Sequence, residues 1–279
     1  MTSMKGKICL ITGATSGIGR ATAMALAKMG ADIVVTTRDE RRGAETKKGL
    51  VERTGNESID VLFCDLSSLQ SVKDCSDRFR SAHDRLDVLI NNAGIWERRR
   101  SLSKDGIELT FAVNHIAPFL MTNLLLDILR RSAPSRVISV SSSLHGGTID
   151  FDDIGFERRF SGMMAYRQSK LADMLFIKEL SRRLEGSSVT ANCLMPGMVS
   201  TGLARNSMWI NRAVFRAFGS SPEKGARTAV YLASSPDVEK TSGECFARCR
   251  IAKTSEESND PALAKRFWEF SEGYVRKWM

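Results

Sequence analysis

The chain has 279 residues, 42% of them hydrophobic and 26% charged, with 41 Lys plus Arg against 32 Asp plus Glu. These proportions belong to a soluble globular protein and exclude a disordered chain, which lacks the apolar surface to offset the entropy of folding. The net charge of +9 is the unusual number, and it suits nucleic acid, an anionic membrane or a phosphate-rich ligand.

Short apolar or β-branched runs alternate with segments of helical spacing from end to end. KICLIT at 7–12 is the first strand, and Ile18, Ala21, Ala25 and Met29 form the apolar stripe of the helix that follows it. DIVVTT at 32–37, DVLFC at 60–64, DVLIN at 87–91, RVISVSS at 136–142, VTANCL at 189–194 and a weaker run near Cys245 complete about seven strands. Their apolar residues are continuous rather than alternating, as in parallel strands buried on both faces. Strand and helix in alternation predict an α/β fold with right-handed crossovers: one Rossmann-type, doubly wound parallel sheet flanked by helices. No linker, repeat or low-complexity tract interrupts 1–279, so one domain is expected.

Two stretches break the rhythm, 143–160 with its Gly146-Gly147 pair and 199–221 after Pro196-Gly197. Both follow the carboxyl end of a predicted strand, where open α/β sheets bind ligands, so both are read as substrate loops. In 204–219, Trp209, Ile210, Val214 and Phe215 interleave with Arg205, Arg212 and Arg216. That pattern suits an amphipathic flap over a lipophilic substrate, with an ordinary packed helix or peripheral contact with an anionic membrane as alternatives. In the tail, Phe267, Phe270, Tyr274 and Trp278 recur at roughly helical spacing, which predicts a helix docked on its own domain or on a partner subunit. Monomer and homodimer both stay open.

The most apolar run, 111–126, is broken by Asn114, His115, Pro118 and Asn123, so no transmembrane segment is expected. The apolar run at 8–11 is too short for a signal-peptide core. Six cysteines are scattered, with Cys9, Cys64 and Cys193 inside strands, which reads as reduced thiols and a cytoplasmic location. His83, His115 and His145 lie far apart, and Cys245-x-x-x-Cys249 has no partners, so no metal is expected.

The first strand runs into TGATSGIGR at 12–20, where Gly13, Gly17 and Gly19 sit between strand and helix. Glycines there admit unusual φ values and let the backbone approach a pyrophosphate, which the helix N-terminus also attracts. Alone such a turn is weak evidence; the strand before it and the helix after it make a nucleotide the stronger reading. At the tip of the second strand an NAD site places an acidic residue for the ribose 2′-hydroxyl. This chain has Thr37 and then Arg38, with Arg41 and Arg42 nearby. A guanidinium there suits a 2′-phosphate, so NADP(H) is preferred, with NAD(H) as the alternative.

Tyr166 and Lys170 are four apart in a helical stretch and share a face. A cation ~4 Å from a phenol, at an effective dielectric of ~20, contributes about 4 kcal/mol. That moves a tyrosine from its ordinary value near 10 to about neutral pH. An isolated Tyr-x-x-x-Lys is more often a surface pair without chemistry.

TGATSGIG at 12–19, NNAG at 91–94, Asn114, the serine-rich end of the 136–142 strand, Tyr166-x-x-x-Lys170 and Pro196-Gly197 occur in one order. Together they resemble the short-chain dehydrogenase/reductase family over essentially the whole chain. VNHIAPFLMTNLLL at 113–126, AYRQSKLADMLF at 165–176 and SGECFARC with the Phe267-Trp268 tail are similar to its retinol-dehydrogenase-like branch.

The resemblance implies an oxidoreductase in which Tyr166 is the acid/base and Lys170 lowers its pKa and holds the nicotinamide ribose. Asn114 would position a relay water, and Ser142 would donate to the substrate oxygen, with Ser141 and Ser143 as alternatives. It further implies cofactor contacts from Gly13, Ser16, Gly17, Ile18 and Gly19 at the phosphates, and from Asp65 and Leu66 at the adenine. Asn92, Ala93 and Gly94 would line the adenine ribose, and Pro196, Gly197, Val199 and Thr201 the nicotinamide. The interval from Ser142 to Tyr166 is longer than in the family's shorter members, and WERRR at 96–100 departs from the family's usual loop after NNAG. That run is either a basic rim at the site or solvated charge. The expected activity is NADP(H)-dependent carbonyl reduction or alcohol oxidation on a small lipophilic molecule of retinoid, steroid or fatty-aldehyde kind. A non-catalytic NADP-sensing regulator on the same fold is the alternative, and the intact Tyr166, Lys170 and Asn114 argue against it. A nucleotide-sugar epimerase is disfavoured by the short C-terminal part. A nucleic-acid binder is disfavoured because the basic residues are scattered and no aromatic platform accompanies them.

Overall fold

The computed structural model describes residues 3–197 and 221–279. An eight-stranded sheet, order β3-β2-β1-β4-β5-β6-β7-β8, forms its middle layer. The strands are β1 (Ile8–Ile11), β2 (Asp32–Thr37), β3 (Ile59–Phe63), β4 (Val88–Asn91), β5 (Ser135–Val140), β6 (Val189–Leu194), β7 (Cys245–Ala247) and β8 (Arg250–Ile251). All pairs but the last are parallel; β7 and β8 form an antiparallel hairpin. The helices are α1 (Gly17–Lys28), α2 (Glu40–Thr54), α3 (Leu69–Ala82), α4 (Leu109–Phe111), α5 (Ala117–Leu124), α6 (Leu126–Arg131), α7 (Gly162–Arg183), α8 (Pro222–Ser234) and α9 (Pro261–Val275). A π turn, Ala112–Ile116, joins α4 to α5.

The continuous apolar runs divide between two cores with a period of two. Leu10, Val34, Leu89 and Val137 face a core completed by α3, α5, α7 and α9. Their neighbours Cys9, Ile11, Ile33, Val35, Ile90 and Ile138 face a second core closed by α1, α2 and α8. Each strand thus buries successive side chains in opposite layers, which is why its sequence does not alternate. β1 pairs with β2 on one side and β4 on the other, so the strand order reverses at β1. The crevice at that reversal, beyond the carboxyl ends of β1 and β4, is where the fold accepts a ligand.

The eighth strand corrects the expected count of about seven. Arg248 and Cys249 turn the hairpin with φ of 51° and 61°, a job that glycine or asparagine usually does. The Cys249 N–H donates to Thr228 Oγ1 at 3.2 Å, bracing the turn against α8. Without a glycine or asparagine the hairpin carries no turn signal in the sequence.

The tail docks on its own domain. Trp268 of α9 stacks on Phe176 of α7, with the Arg183 guanidinium 4.3 Å from its ring centroid. Phe267 packs on His115, whose Nε2 lies 2.8 Å from Ser271 Oγ. Burial, reinforced by Lys170, pushes His115 down to about 3, so it is a neutral packing residue. All six cysteines are free thiols and five are buried. No helix among the described residues is long and apolar enough to cross a membrane.

Candidate active site

The glycine turn and the NNAG run are built against each other. Thr12 Oγ1 accepts from the backbone N–H groups of Asn92 and Ala93, both at 3.0 Å, and Asn92 Nδ2 donates to Thr12 O at 2.7 Å. Gly13 and Gly17 adopt φ of 66° and 57°. A Cβ on Gly19 would collide with Asn92 Nδ2 and lie 2.7 Å from Gly13 O, so α1 approaches this closely only through glycine. Gly19→Ala is therefore expected to cost about 1–3 kcal/mol through overpacking. A thermal melt checks this, and an unchanged midpoint would show that the turn relaxes freely.

This end of the molecule suits an anion. Side chains of Asp39, Ser68, Ser161, Ser221 and Asp260 cap α2, α3, α7, α8 and α9. Ser16 makes no such bond at α1, and no acidic residue occupies the first turn of that helix. Its N-terminal N–H groups and dipole thus face the crevice without a side-chain partner. Those residues fit a dinucleotide pyrophosphate.

At the tip of β2, Thr37 Oγ1 accepts from Asp39 N and donates to Asp39 O, while the Asp39 carboxylate accepts from Arg42 N. The Asp39 carboxylate, next along the chain from Arg38, thus caps α2. Arg38 is exposed beside it and forms no ion pair with a described residue. Asp65, after β3, is bound by Ser67 and by Lys104 Nζ at 2.9 Å. Burial opposes its charge, but those partners outweigh burial and hold the carboxyl below its ordinary range. Leu66 packs against the adjoining core.

Tyr166 and Lys170 lie on α7, only 7% and 4% exposed. Lys170 Nζ is 5.8 Å from the Tyr166 ring centroid. It donates to Val140 O, at the end of β5, at 2.9 Å and to Asp173 Oδ2 at 2.8 Å. Asn114 belongs to the π turn, a distortion common at functional sites. Its Nδ2 donates to Ile95 O and to Ser169 Oγ, each at 2.9 Å, and its Oδ1 accepts from Ile95 N at 2.8 Å. A Cβ on Gly94 would stand 3.6 Å from Asn114 Oδ1 and 3.7 Å from Lys170 Nζ. The NNAG run, the π turn, the end of β5 and α7 therefore meet at one point.

The three serines separate. Ser141 is buried and its hydroxyl donates to Lys170 O at 2.8 Å, joining β5 to α7. Ser142 is half-buried; its Oγ accepts from Leu144 N at 3.1 Å, leaving its own proton to donate. Ser143 is exposed. His145 braces this loop: Nδ1 is 2.8 Å from Ser142 O, and Nε2 accepts from Ser255 N at 3.2 Å. A carbonyl on one side and an N–H on the other require the neutral tautomer with its proton on Nδ1.

Burial opposes the Lys170 charge, but Asp173 and Tyr166 more than offset it and hold the ammonium above its ordinary range. Asp173 is pushed up to about 6 by burial, against the pull of Lys170. Three contributors escaped the sequence reading. Asp173 stands three residues after Lys170, a helical spacing that was available as a signal. Trp96 lies 5.8 Å from the Tyr166 ring, centroid to centroid, and nothing in WERRR shows that. The brace from His145 to Ser255 spans distant loops and has no local signal. Within WERRR, Arg100 is tied to Gly155 O at 2.9 Å and to Glu157 at 2.7 Å, while Arg98 and Arg99 are exposed. Pro196 and Gly197 follow β6, beside Ser141, whose N–H donates to Leu194 O. Val199, Thr201 and the arginine-rich 204–219 stretch lie outside the described residues.

A model of the family described as "short chain dehydrogenase" matches residues 7–209. The chain is 42% identical to human (Homo sapiens) retinol dehydrogenase 14 across 98% of its own length and 87% of that protein. The chain belongs to the short-chain dehydrogenase family. Among solved structures, an uncharacterized protein from Mycobacterium paratuberculosis superposes with TM-score 0.81 at 33% identity, covering 99% of this chain and 96% of that one. A short chain dehydrogenase from Burkholderia cenocepacia J2315, in complex with NADP, gives TM-score 0.70 at 25% identity over 87% and 96% of the two chains. The family member described here falls in the retinol-dehydrogenase-like branch and is an oxidoreductase acting on CH–OH donors with NAD(P).

Proposed function

We propose that this short-chain dehydrogenase interconverts a carbonyl and an alcohol on a lipophilic substrate and prefers NADP(H). The observation that carries the reading is the enclosed Lys170 ammonium beside Tyr166, at the meeting of four motifs distant in sequence. In this reading Tyr166 takes the alcohol proton in oxidation and returns it in reduction. Lys170 supplies the neighbouring positive charge that favours the tyrosinate over the phenol. Ser142 donates to the substrate oxygen, and Asn114 positions a water that connects Lys170 to solvent. A bound nicotinamide dinucleotide would supply or take up the hydride. The turn at 12–19, Asp65, Leu66, Asn92, Ala93, Gly94, Lys170, Pro196 and Gly197 would hold it, with Val199 and Thr201 as further expected contacts.

Two features favour the finer parts of the proposal. For the cofactor, Arg38 is exposed at the tip of β2 and pairs with no described carboxylate, while the neighbouring Asp39 carboxylate caps α2. For the substrate, Leu144 after β5 is 45% exposed, and Met163 and Met164 in the first turn of α7, just before Tyr166, are 38% and 41% exposed. Exposed apolar side chains on the segments that carry Ser142 and Tyr166 suit a lipophilic ligand, and a retinol dehydrogenase relative points the same way.

A panel of aldehydes, ketones and alcohols, with retinoids and steroids included, followed by NADPH absorbance tests the activity; no turnover on any member would count against it. Arg38→Ala is expected to lower kcat/KM for NADP(H) relative to NAD(H) by about 10–100-fold, the worth of a hydrogen bond to a charged group. An unchanged ratio would remove Arg38 from that role.

A further inference from the structure

The Lys170 ammonium has three N–H donors, and the protein takes two of them. One goes to Val140 O and one to Asp173 Oδ2 at 2.8 Å, with lysine and aspartate both almost fully buried. This leaves one donor toward Tyr166 and Gly94. The carboxylate does more than hold position, because a negative charge on the ammonium cancels part of its field. An unpaired ammonium would depress the Tyr166 pKa strongly but would be costly to bury; a paired one is easier to bury and acts more weakly on the tyrosine.

We infer that Asp173 is a positioning residue for the proposed proton transfer, holding Lys170 against β5 and setting, through its charge, how strongly the ammonium acts on Tyr166. The inference rests on the reading of Tyr166 as the acid/base. Other groups around the pair are electrically quiet. His115 of the π turn is neutral, since burial and Lys170 push it down to about 3. The neighbouring Cys245 thiol of β7, together with burial, pushes the Cys193 thiol of β6 up, so it stays neutral. Tyr166, Lys170 and Asp173 on α7 are thus the charges that matter among the described residues. With Asp173 pushed up to about 6, the carboxylate is mostly ionised at neutral pH.

Asp173→Asn keeps the size and an oxygen acceptor for Lys170 but removes the negative charge. Seven residues of helix separate Asp173 from Tyr166, about 10 Å at 1.5 Å per residue. At an effective dielectric of ~20 this corresponds to about one pH unit. The acid limb of alcohol oxidation is therefore expected to move about one unit lower in Asp173→Asn. The basic limb moves the same way, because Lys170 has lost its counter-ion. A merely structural role would lower kcat at every pH without moving either limb. Asp173→Ser, too short to reach Lys170, is expected to show the same shift together with about a tenfold rise in KM for the cofactor. If the Asn variant does not fold, the Ser variant carries the test.

A second readout needs no turnover: the near-ultraviolet absorbance of tyrosinate titrated with pH, taken as the difference between a protein with Tyr166 and its Tyr166→Phe counterpart. Superimposable profiles for wild type and Asp173→Asn would overturn the role of Asp173. Full turnover in Tyr166→Phe would instead overturn the reading it rests on, and the absorbance titration would still decide whether Asp173 sets the Tyr166 pKa.

Discussion

Tyr166→Phe is expected to lower kcat/KM by about 10²- to 10⁴-fold, the contribution of a positioned proton donor or acceptor. The substitution removes one hydroxyl from a ring that is almost fully buried and packed against Trp96. The ring stays, so its packing against Trp96 and the helix around it should persist, and the melting temperature should change little. Cofactor affinity should also persist, because the glycine turn, Asn92 and Arg38 belong to other elements. Steady-state kinetics beside a fluorescence titration with NADPH separates the two effects. Retained turnover would end the proposed mechanism, and lost NADPH binding would show that the hydroxyl serves the cofactor instead.

The second large effect is on stability. Lys170→Met removes the counter-ion of a buried carboxylate, and breaking a buried pair from one side typically costs about 3–5 kcal/mol. Lys170 is the one influence pulling the Asp173 pKa down against burial, so its loss lets the value climb beyond about 6. A carboxyl whose folded pKa is raised favours the folded state at low pH, and that contribution disappears as pH rises through the folded value. The variant should therefore be relatively more stable at about pH 5 than at about pH 8 in urea unfolding. Lys170→Met combined with Asp173→Leu should recover most of the stability while leaving turnover abolished. A double variant as unstable as the single one would show that the damage lies in the lost bond to Val140, not in the stranded carboxylate.

Much of the architecture could be read directly because it follows from local pattern. Unbroken apolar runs such as LIT at 10–12 and VLI at 88–90 supply side chains to two cores at once, so parallel strands covered on both faces were the economical reading. The glycine turn, the NNAG run and the Tyr166–Lys170 spacing were legible for a related reason: each is a short segment recognisable from the order and spacing of its own residues. The β7–β8 hairpin was not, because Arg248 and Cys249 adopt positive φ through bracing by α8 rather than by intrinsic preference.

The +9 charge, open at first to nucleic acid or membrane, includes Arg38, exposed at the tip of β2, which the proposed function assigns to a 2′-phosphate. The sequence by itself determined the family and the parallel sheet and pointed to Tyr166, Lys170 and Asn114 as candidates, since order and spacing along the chain encode them. Tertiary structure decided what those residues face. It committed Ser141 to the backbone of α7 and left the Ser142 proton to donate. It also set Trp96 beside Tyr166 and tied His145 to Ser255. The burial around α7 turned the Lys170–Asp173 spacing into an enclosed ion pair. These are contacts between segments far apart in the chain, and their energies depend on exclusion of water, which only the packed molecule provides.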